Sequence, residues 1–145
     1  TSTMLFGHIE SLEDRLRHLQ VLKEIQSETG GFTEFVLLPF ISENNKLGQI
    51  ARSADLLDRL KMHALSRVAL YPDITNIQAS WTKLGRETAA AAIEWGANDL
   101  GGTLMDEAIA RNAREAPSIS ASDLIELIEG RGRRAVQRTT LYERA

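Results

Sequence analysis

Two hydrophobic periodicities alternate along this chain, and that alternation constrains the fold more than any other feature. Thr1–Phe6 (TSTMLF) is a short run of Thr and apolar residues that stops at Gly7, the pattern of a strand. Leu12, Leu16, Leu19, Leu22 and Ile25 then recur at the spacing of one helix face. Ser11 and Asp14 supply the helix start signal, and Gly30-Gly31 ends it. Phe32–Phe40 (FTEFVLLPF) is apolar at both parities from Phe35 to Leu38, as expected of a strand buried on both faces, and Pro39 closes its ladder. A polar loop over 42–53 leads into a helix over Ala54–Tyr71. Its expected packed side is Leu56, Leu57, Leu60, Ala64, Leu65 and Val68, and Pro72-Asp73 breaks it. Asn76–Trp81 reads as a third strand, and Arg86–Trp95 as a helix smoothed by Ala89–Ala92 and capped by Gly96. Ala97–Leu100 reads as a short fourth strand entering Gly101-Gly102. Helices are expected at Asp106–Arg114 and Asp123–Glu129, and the tail Ala135–Tyr142 is expected to be extended or irregular.

Strands that alternate with helices predict parallel α/β architecture, with sequential strands and the helices on one face. An eight-stranded α/β barrel takes about 250 residues. Four strand–helix units in 145 residues therefore predict one domain, 1–145, built as half of a TIM-type barrel. A chain that opens inside a strand suggests a piece of something larger. Such a half-barrel leaves open strand edges, so the isolated chain is expected to self-associate.

Composition removes several classes of function. There is no cysteine, which excludes disulfides, thiolate catalysis and cysteine-held zinc or iron–sulfur clusters within the chain. Seventeen basic and 20 acidic residues leave a net charge of −3, which gives no electrostatic case for nucleic acid or an anionic membrane. The apolar runs, such as Phe35–Phe40 and Ala89–Ile93, are far shorter than the roughly 20 residues of a membrane span. No G-x-S-x-G elbow, P-loop, H-E-x-x-H or Rossmann glycine fingerprint occurs.

The chemistry-bearing residues are polar groups in strands that should be apolar. Glu34 lies in the second expected strand, Asn76, Gln78 and Ser80 in the third, and Asn98 and Asp99 in the fourth. Asn76, Gln78 and Ser80 share one face because strand side chains alternate. A polar face inside a buried strand must meet either a structural hydrogen-bond network or a ligand. Asp99-Leu100-Gly101-Gly102 sits between a strand and a helix, where a backbone can approach a ligand closely or simply turn. His8 follows the first strand, the place of barrel catalytic groups and equally of strand-end caps. His18 and His63 fall within helices and read as structural or solvent-facing. Arg131, Arg133 and Arg134 read as a solvated turn.

Five blocks carry a resemblance: TSTMLFGHIE (1–10), ETGGFTEFVLLPF (28–40), NIQASWTKLG (76–85), GANDLGGTLMDEAI (96–109) and QRTTLYE (137–143). Together, and in this order, they resemble the C-terminal half of radical S-adenosylmethionine enzymes of the FO synthase family. The resemblance implies the C-terminal half of a TIM-type barrel. It implies a cytoplasmic transferase that joins a tyrosine-derived 4-hydroxybenzyl group to 5-amino-6-(D-ribitylamino)uracil in deazaflavin (coenzyme F-420) biosynthesis. S-adenosylmethionine and a 4Fe-4S cluster are the implied cofactors. The family's C-x-x-x-C-x-x-C cluster loop belongs to an N-terminal half-barrel that this chain lacks, so the chain alone is expected to be inactive. Glu34, Gln78, Ser80, Asn98 and Asp99 are the candidate substrate- or S-adenosylmethionine-binding residues. His8 is the candidate catalytic group, and no metal ligand is assigned. If the polar parity faces inward, these groups are expected to converge near the C-terminal mouth. The loop 42–53 departs from the family's longer Gly- and Pro-containing loop. A sister family, the futalosine enzymes of menaquinone synthesis, shares the GGF block and the Gly7-His8 pair. A non-catalytic α/β binding domain is the reading from a different class.

Overall fold

The structure is a computed structural model that describes residues 1–43, 46, 48, 51, 53–103 and 119–144. Strand β1 (Ser2–Phe6) is followed by helix α1 (Leu12–Thr29), strand β2 (Phe35–Pro39), helix α2 (Leu56–Leu70) and strand β3 (Ile77–Ala79). Two short helices, α3 (Trp81–Leu84) and α4 (Arg86–Ala92), come next, and α5 (Ala121–Glu129) precedes the tail. The sheet has the order β1-β2-β3 and both pairs are parallel. Ser2 lies beside Phe35, and Phe35 beside Ile77. The α/β alternation and parallel pairing read from the sequence are therefore present.

The helix starts are local chemistry. Ser11 Oγ accepts from Asp14 N at 3.2 Å while Asp14 Oδ2 accepts from Ser11 N at 2.8 Å, a reciprocal capping box. Ser120 and Asp123 repeat it at α5. Asp55 caps α2 by accepting from Asp58 N at 2.8 Å.

The strands divide by parity. Met4, Phe6, Phe35, Leu37 and Ile77 face α1 and α2 and are buried beside Leu19 and Leu22 of α1. Phe6 and Phe35 are fully buried, each contributing about 2–3 kcal/mol of transfer free energy. The opposite parity, Thr3, Leu5, Val36, Leu38 and Gln78, forms a second face, on which Leu5 stays 54% exposed. A separate core unites Leu84 of α3, Ala89 and Ala92 of α4 and the apolar side of α5.

Several expectations need correction. The fourth strand, Ala97–Leu100, is reduced to one parallel bridge between Gln78 and Asp99, because Gly101-Gly102 turns the chain away at once. The third strand is shorter than Asn76–Trp81, since Ser80 ends it and Trp81 opens α3. The expected packed side of α2 is rotated: Val68 is 79% and Leu56 57% exposed, while Leu60, Met62, His63, Ser66 and Leu70 are buried. Hydropathy could not place a face that carries His63 and Ser66. The tail is irregular, as expected, and closes a tight turn, with Thr139 N donating to Glu143 O at 2.8 Å and Tyr142 N to Thr139 O at 3.1 Å. The helix expected over 106–114 lies outside the described residues. No described helix is long and apolar enough to cross a membrane.

Candidate functional site

In parallel α/β sheets, ligands bind where strands end and loops begin. The C-terminal ends of the strands here carry Gly7-His8, Phe40, Ser80-Trp81 and Gly101-Gly102.

The turn after β1 is organised around Glu10. Its carboxylate accepts from Gly7 N at 2.5 Å and from His8 N and Arg15 Nε at 2.9 and 2.7 Å. Burial opposes the Glu10 charge, but the Gly7 and His8 amides and Arg15 outweigh it and hold the carboxyl below its usual range. Arg15 also forks onto both oxygens of Asp58 at 2.9 Å, tying α1 to α2. Gly7 has φ +86°, and a Cβ there would stand 2.7 Å from the Ala54 Cβ, so only glycine fits. His8 Nδ1 lies 3.2 Å from Glu10 Oε2 without the alignment of a hydrogen bond, and its ring meets Phe40 edge-on.

The Asp99 carboxylate is engaged at both oxygens. Oδ1 accepts from Gly101 N at 2.8 Å. Oδ2 accepts from Arg138 Nε at 2.9 Å, from Arg138 Nη2, and from the Tyr142 hydroxyl at 2.5 Å. The Arg138 guanidinium also stacks 4.1 Å from the Tyr142 ring centroid. Burial pushes the Tyr142 phenol upward, and the carboxylates of Asp99 and Glu34 raise it further, so it stays a donor. Burial works against the Arg138 charge, but Asp99, Tyr142 and Glu34 raise its pKa on balance. The tail is thereby clamped to the sheet, with Tyr142 held at φ +63°.

The other candidates fall in different places. Glu34 precedes β2, at the N-terminal end of the sheet, where it is buried and accepts from the Thr1 hydroxyl. Asn98 lies one residue from Asp99 and so points to the other side of the sheet. Its Oδ1 accepts from Ile77 N and from Arg67 Nη2, both at 2.8 Å. Arg67 also reaches Gly96 O and Thr75 O, which makes it a staple between α2 and the ends of the strands. Ser80 is buried and shares a 2.9 Å hydrogen bond with Thr82. Gln78 stands level with Val36 and Asp99 on the second sheet face, and its amide nitrogen leans over Gly101. Thus Gln78 and Asp99 stand level on one sheet face and Ser80 ends β3, Glu34 lies nearer the N-terminal end but within reach of the Tyr142 hydroxyl that binds Asp99, and Asn98 faces α2.

Sequence reasoning missed Arg138, Tyr142, Arg67, Glu10 and Arg15. The available signal for the first two was Asp99 itself, because a carboxylate on a buried strand requires a donor from elsewhere in the chain. Among the described residues, no cluster of three or more His, Cys, Asp or Glu side chains is arranged to hold a metal ion. With no cysteine in the chain, the donor set for an iron–sulfur cluster is absent. The residues present do not fit that group.

The chain is a parallel α/β unit with polar groups at its strand ends and a clamped C-terminal tail. Residues 29–145 match the family described as CofH/MqnC C-terminal region, and the chain belongs to that family. It is 49% identical over 98% of its length to the 5-amino-6-(D-ribitylamino)uracil--L-tyrosine 4-hydroxyphenyl transferase of Archaeoglobus fulgidus, covering 42% of that protein. It is 49% identical to transferase 1 of the same name from Methanosarcina barkeri, over 99% of this chain and 40% of that one. The FO synthase of Mycobacterium leprae is 46% identical over 98% of this chain, which spans 17% of it. The chain thus spans about two fifths of the length of the transferases it matches.

Proposed function

We propose that this chain is the C-terminal, substrate-facing part of a radical S-adenosylmethionine transferase. The full-length protein joins a 4-hydroxybenzyl group derived from tyrosine to 5-amino-6-(D-ribitylamino)uracil, which leads to the deazaflavin FO. The observation that carries this reading is near-half identity over almost the whole chain to proteins named for that transfer. Residues 1–145 form one domain, the C-terminal half of a TIM-type barrel, completed by an N-terminal half that supplies the cluster cysteines. The parallel order β1-β2-β3 supports that architecture, as does the exposed Leu5 on the second sheet face. The protein is cytoplasmic, and without cysteine this chain alone is inactive.

The role of the chain's own residues is to form one wall of the cavity. Radical chemistry needs a closed site that excludes water and fixes its reactants. The clamp of Arg138 and Tyr142 on Asp99 holds the Gly101-Gly102 turn from below through Asp99 Oδ1, and Trp81 Nε1 donates to Gly102 O at 3.1 Å from the side. Glu10 fixes the Gly7-His8 turn in the same way. Backbone amides and side chains held so firmly suit substrates that carry both carboxylate and amine groups. His8, with its ring packed on Phe40, is the candidate proton-transfer group at this edge.

The test is anaerobic turnover by the full-length protein with tyrosine, 5-amino-6-(D-ribitylamino)uracil and S-adenosylmethionine. The expected result is a hydroxybenzylated aminouracil, detected by mass. Absence of that product, or turnover of a futalosine substrate instead, overturns the reading. The DNA upstream gives a second check: an open frame with a C-x-x-x-C-x-x-C loop is expected there.

A further inference from the structure

Four of the five polar candidates in the strands are already spoken for. Asp99 has donors on both oxygens, from Gly101 N, Arg138 and Tyr142. Asn98 is bound to Arg67 and the Ile77 amide, Ser80 to Thr82, and Glu34 to Thr1. Among the described residues, the Gln78 amide has no hydrogen-bond partner. It is the central residue of β3, half-buried between Val36 of β2 and the bridged Asp99. Its direction is informative. A Cβ on Gly101 would stand 2.6 Å from Gln78 Nε2, although Gly101 lies two residues beyond Asp99, the residue level with Gln78. The amide therefore lies against the Gly101 turn that follows the Asp99 bridge, and such turns at the C-terminal ends of parallel strands are where these sheets bind ligands. Gly101, at φ +79°, leaves the space that this rotamer needs. The tail clamp takes Asp99 Oδ2 and reaches back to Glu34, and neither Arg138 nor Tyr142 hydrogen-bonds the Gln78 amide.

We infer that Gln78 is the group on this wall that reads a heterocycle edge. A neutral amide presents an acceptor beside a donor, and its complement is a planar ring edge with a donor beside an acceptor. It offers no charge to a substrate carboxylate or amine. Two reactants under the proposed function carry such an edge: the pyrimidinedione of the aminouracil and the adenine of S-adenosylmethionine. Tyrosine carries none. The inference rests on the proposed function for the identity of these ligands, and Gly101 is a positioning residue for the amide.

The experiment is equilibrium binding to the full-length protein, read separately from turnover so that failure of the transferase reading is seen by itself. 5-Amino-6-(D-ribitylamino)uracil, S-adenosylmethionine and tyrosine are each titrated against wild type, Gln78→Leu and Gly101→Ala, with melting curves for all three proteins. Losing a paired amide should weaken one of the two heterocyclic ligands about tenfold to a hundredfold, with tyrosine unchanged. The affected ligand identifies which ring Gln78 reads. Gly101→Ala should weaken the same ligand, because its Cβ displaces Nε2. Gln78→Glu, nearly isosteric, guards against a folding defect and should weaken that ligand too, since it loses the donor. Unchanged affinity for both heterocycles, or an equal loss for all three ligands, overturns the inference.

Discussion

Substituting Asp99 by Asn should be nearly as damaging as substituting it by Ala, although Asn has the same shape. Both Asp99 oxygens act purely as acceptors: Oδ1 faces the Gly101 N–H, and Oδ2 faces Arg138 and Tyr142. An Asn side chain must turn its NH2 toward one side or the other. In either orientation a donor meets a donor, and the pair with Arg138 loses its charge. Removing one member of a buried ion pair costs about 3–5 kcal/mol. The Asp99 side chain is 9% and the Arg138 side chain 27% exposed, so the stranded guanidinium recovers part of its hydration. We therefore expect about 2–4 kcal/mol for both Asp99→Asn and Asp99→Ala. Tyr142→Phe removes one hydrogen bond to a charged group and should cost about 1.5–3 kcal/mol. The assay is urea unfolding of the full-length protein at constant m-value. Amide exchange over residues 138–144 should locate the early loss in the tail turn, where Tyr142 holds a left-handed conformation that costs about 1–2 kcal/mol without its anchor. An Asn variant within about 0.5 kcal/mol of wild type would refute the reasoning, since that is the range of an ordinary surface substitution.

Two further predictions concern pH. His63 is fully buried, and burial holds its pKa below the free value; Nδ1 sits 2.8 Å from Arg59 O and Nε2 has no partner among the described residues. The unfolded chain binds this proton more readily, so the His63 contribution is complete above the unfolded pKa near 6.5 and is lost as pH falls below it. Unfolding free energy should decline from pH 7 toward pH 5, and His63→Leu should flatten that decline; an identical slope in the variant would rule His63 out as the cause. Glu10 has a lowered folded pKa, so its contribution is complete above the usual carboxylate range and is lost as pH falls through the folded value. Glu10→Gln should cost about 1–3 kcal/mol at neutral pH and much less at pH 3, as judged by urea midpoints at the two pH values; a cost that does not shrink in acid would show that charge is not what holds the turn.

The strands and helices were legible where local chemistry decides them. The Ser11/Asp14 and Ser120/Asp123 boxes start helices using atoms within three residues of each other. The both-parity apolar run Phe35–Leu38 marks the strand at the centre of the sheet, and alternation alone gives parallel pairing. The candidate site was legible as a list of polar residues in strands, but not as an arrangement. Parity separates Asn98 from Asp99, and strand direction puts Glu34 nearer the N-terminal end but within reach of the Tyr142 hydroxyl.

What the sequence by itself determined is the α/β alternation through β3, the Ser11/Asp14 and Ser120/Asp123 caps, the absence of cysteine and the family. What only the tertiary structure decided is which polar side chain is occupied and which remains available. Arg138 and Tyr142 reach Asp99 across 39 and 43 residues, and Arg67 reaches Asn98 across 31. Such pairings have no period and no local signature. They are set by the packing of α2 on the sheet and by the turn of the tail, and their chemistry is satisfied only once the chain has closed around them.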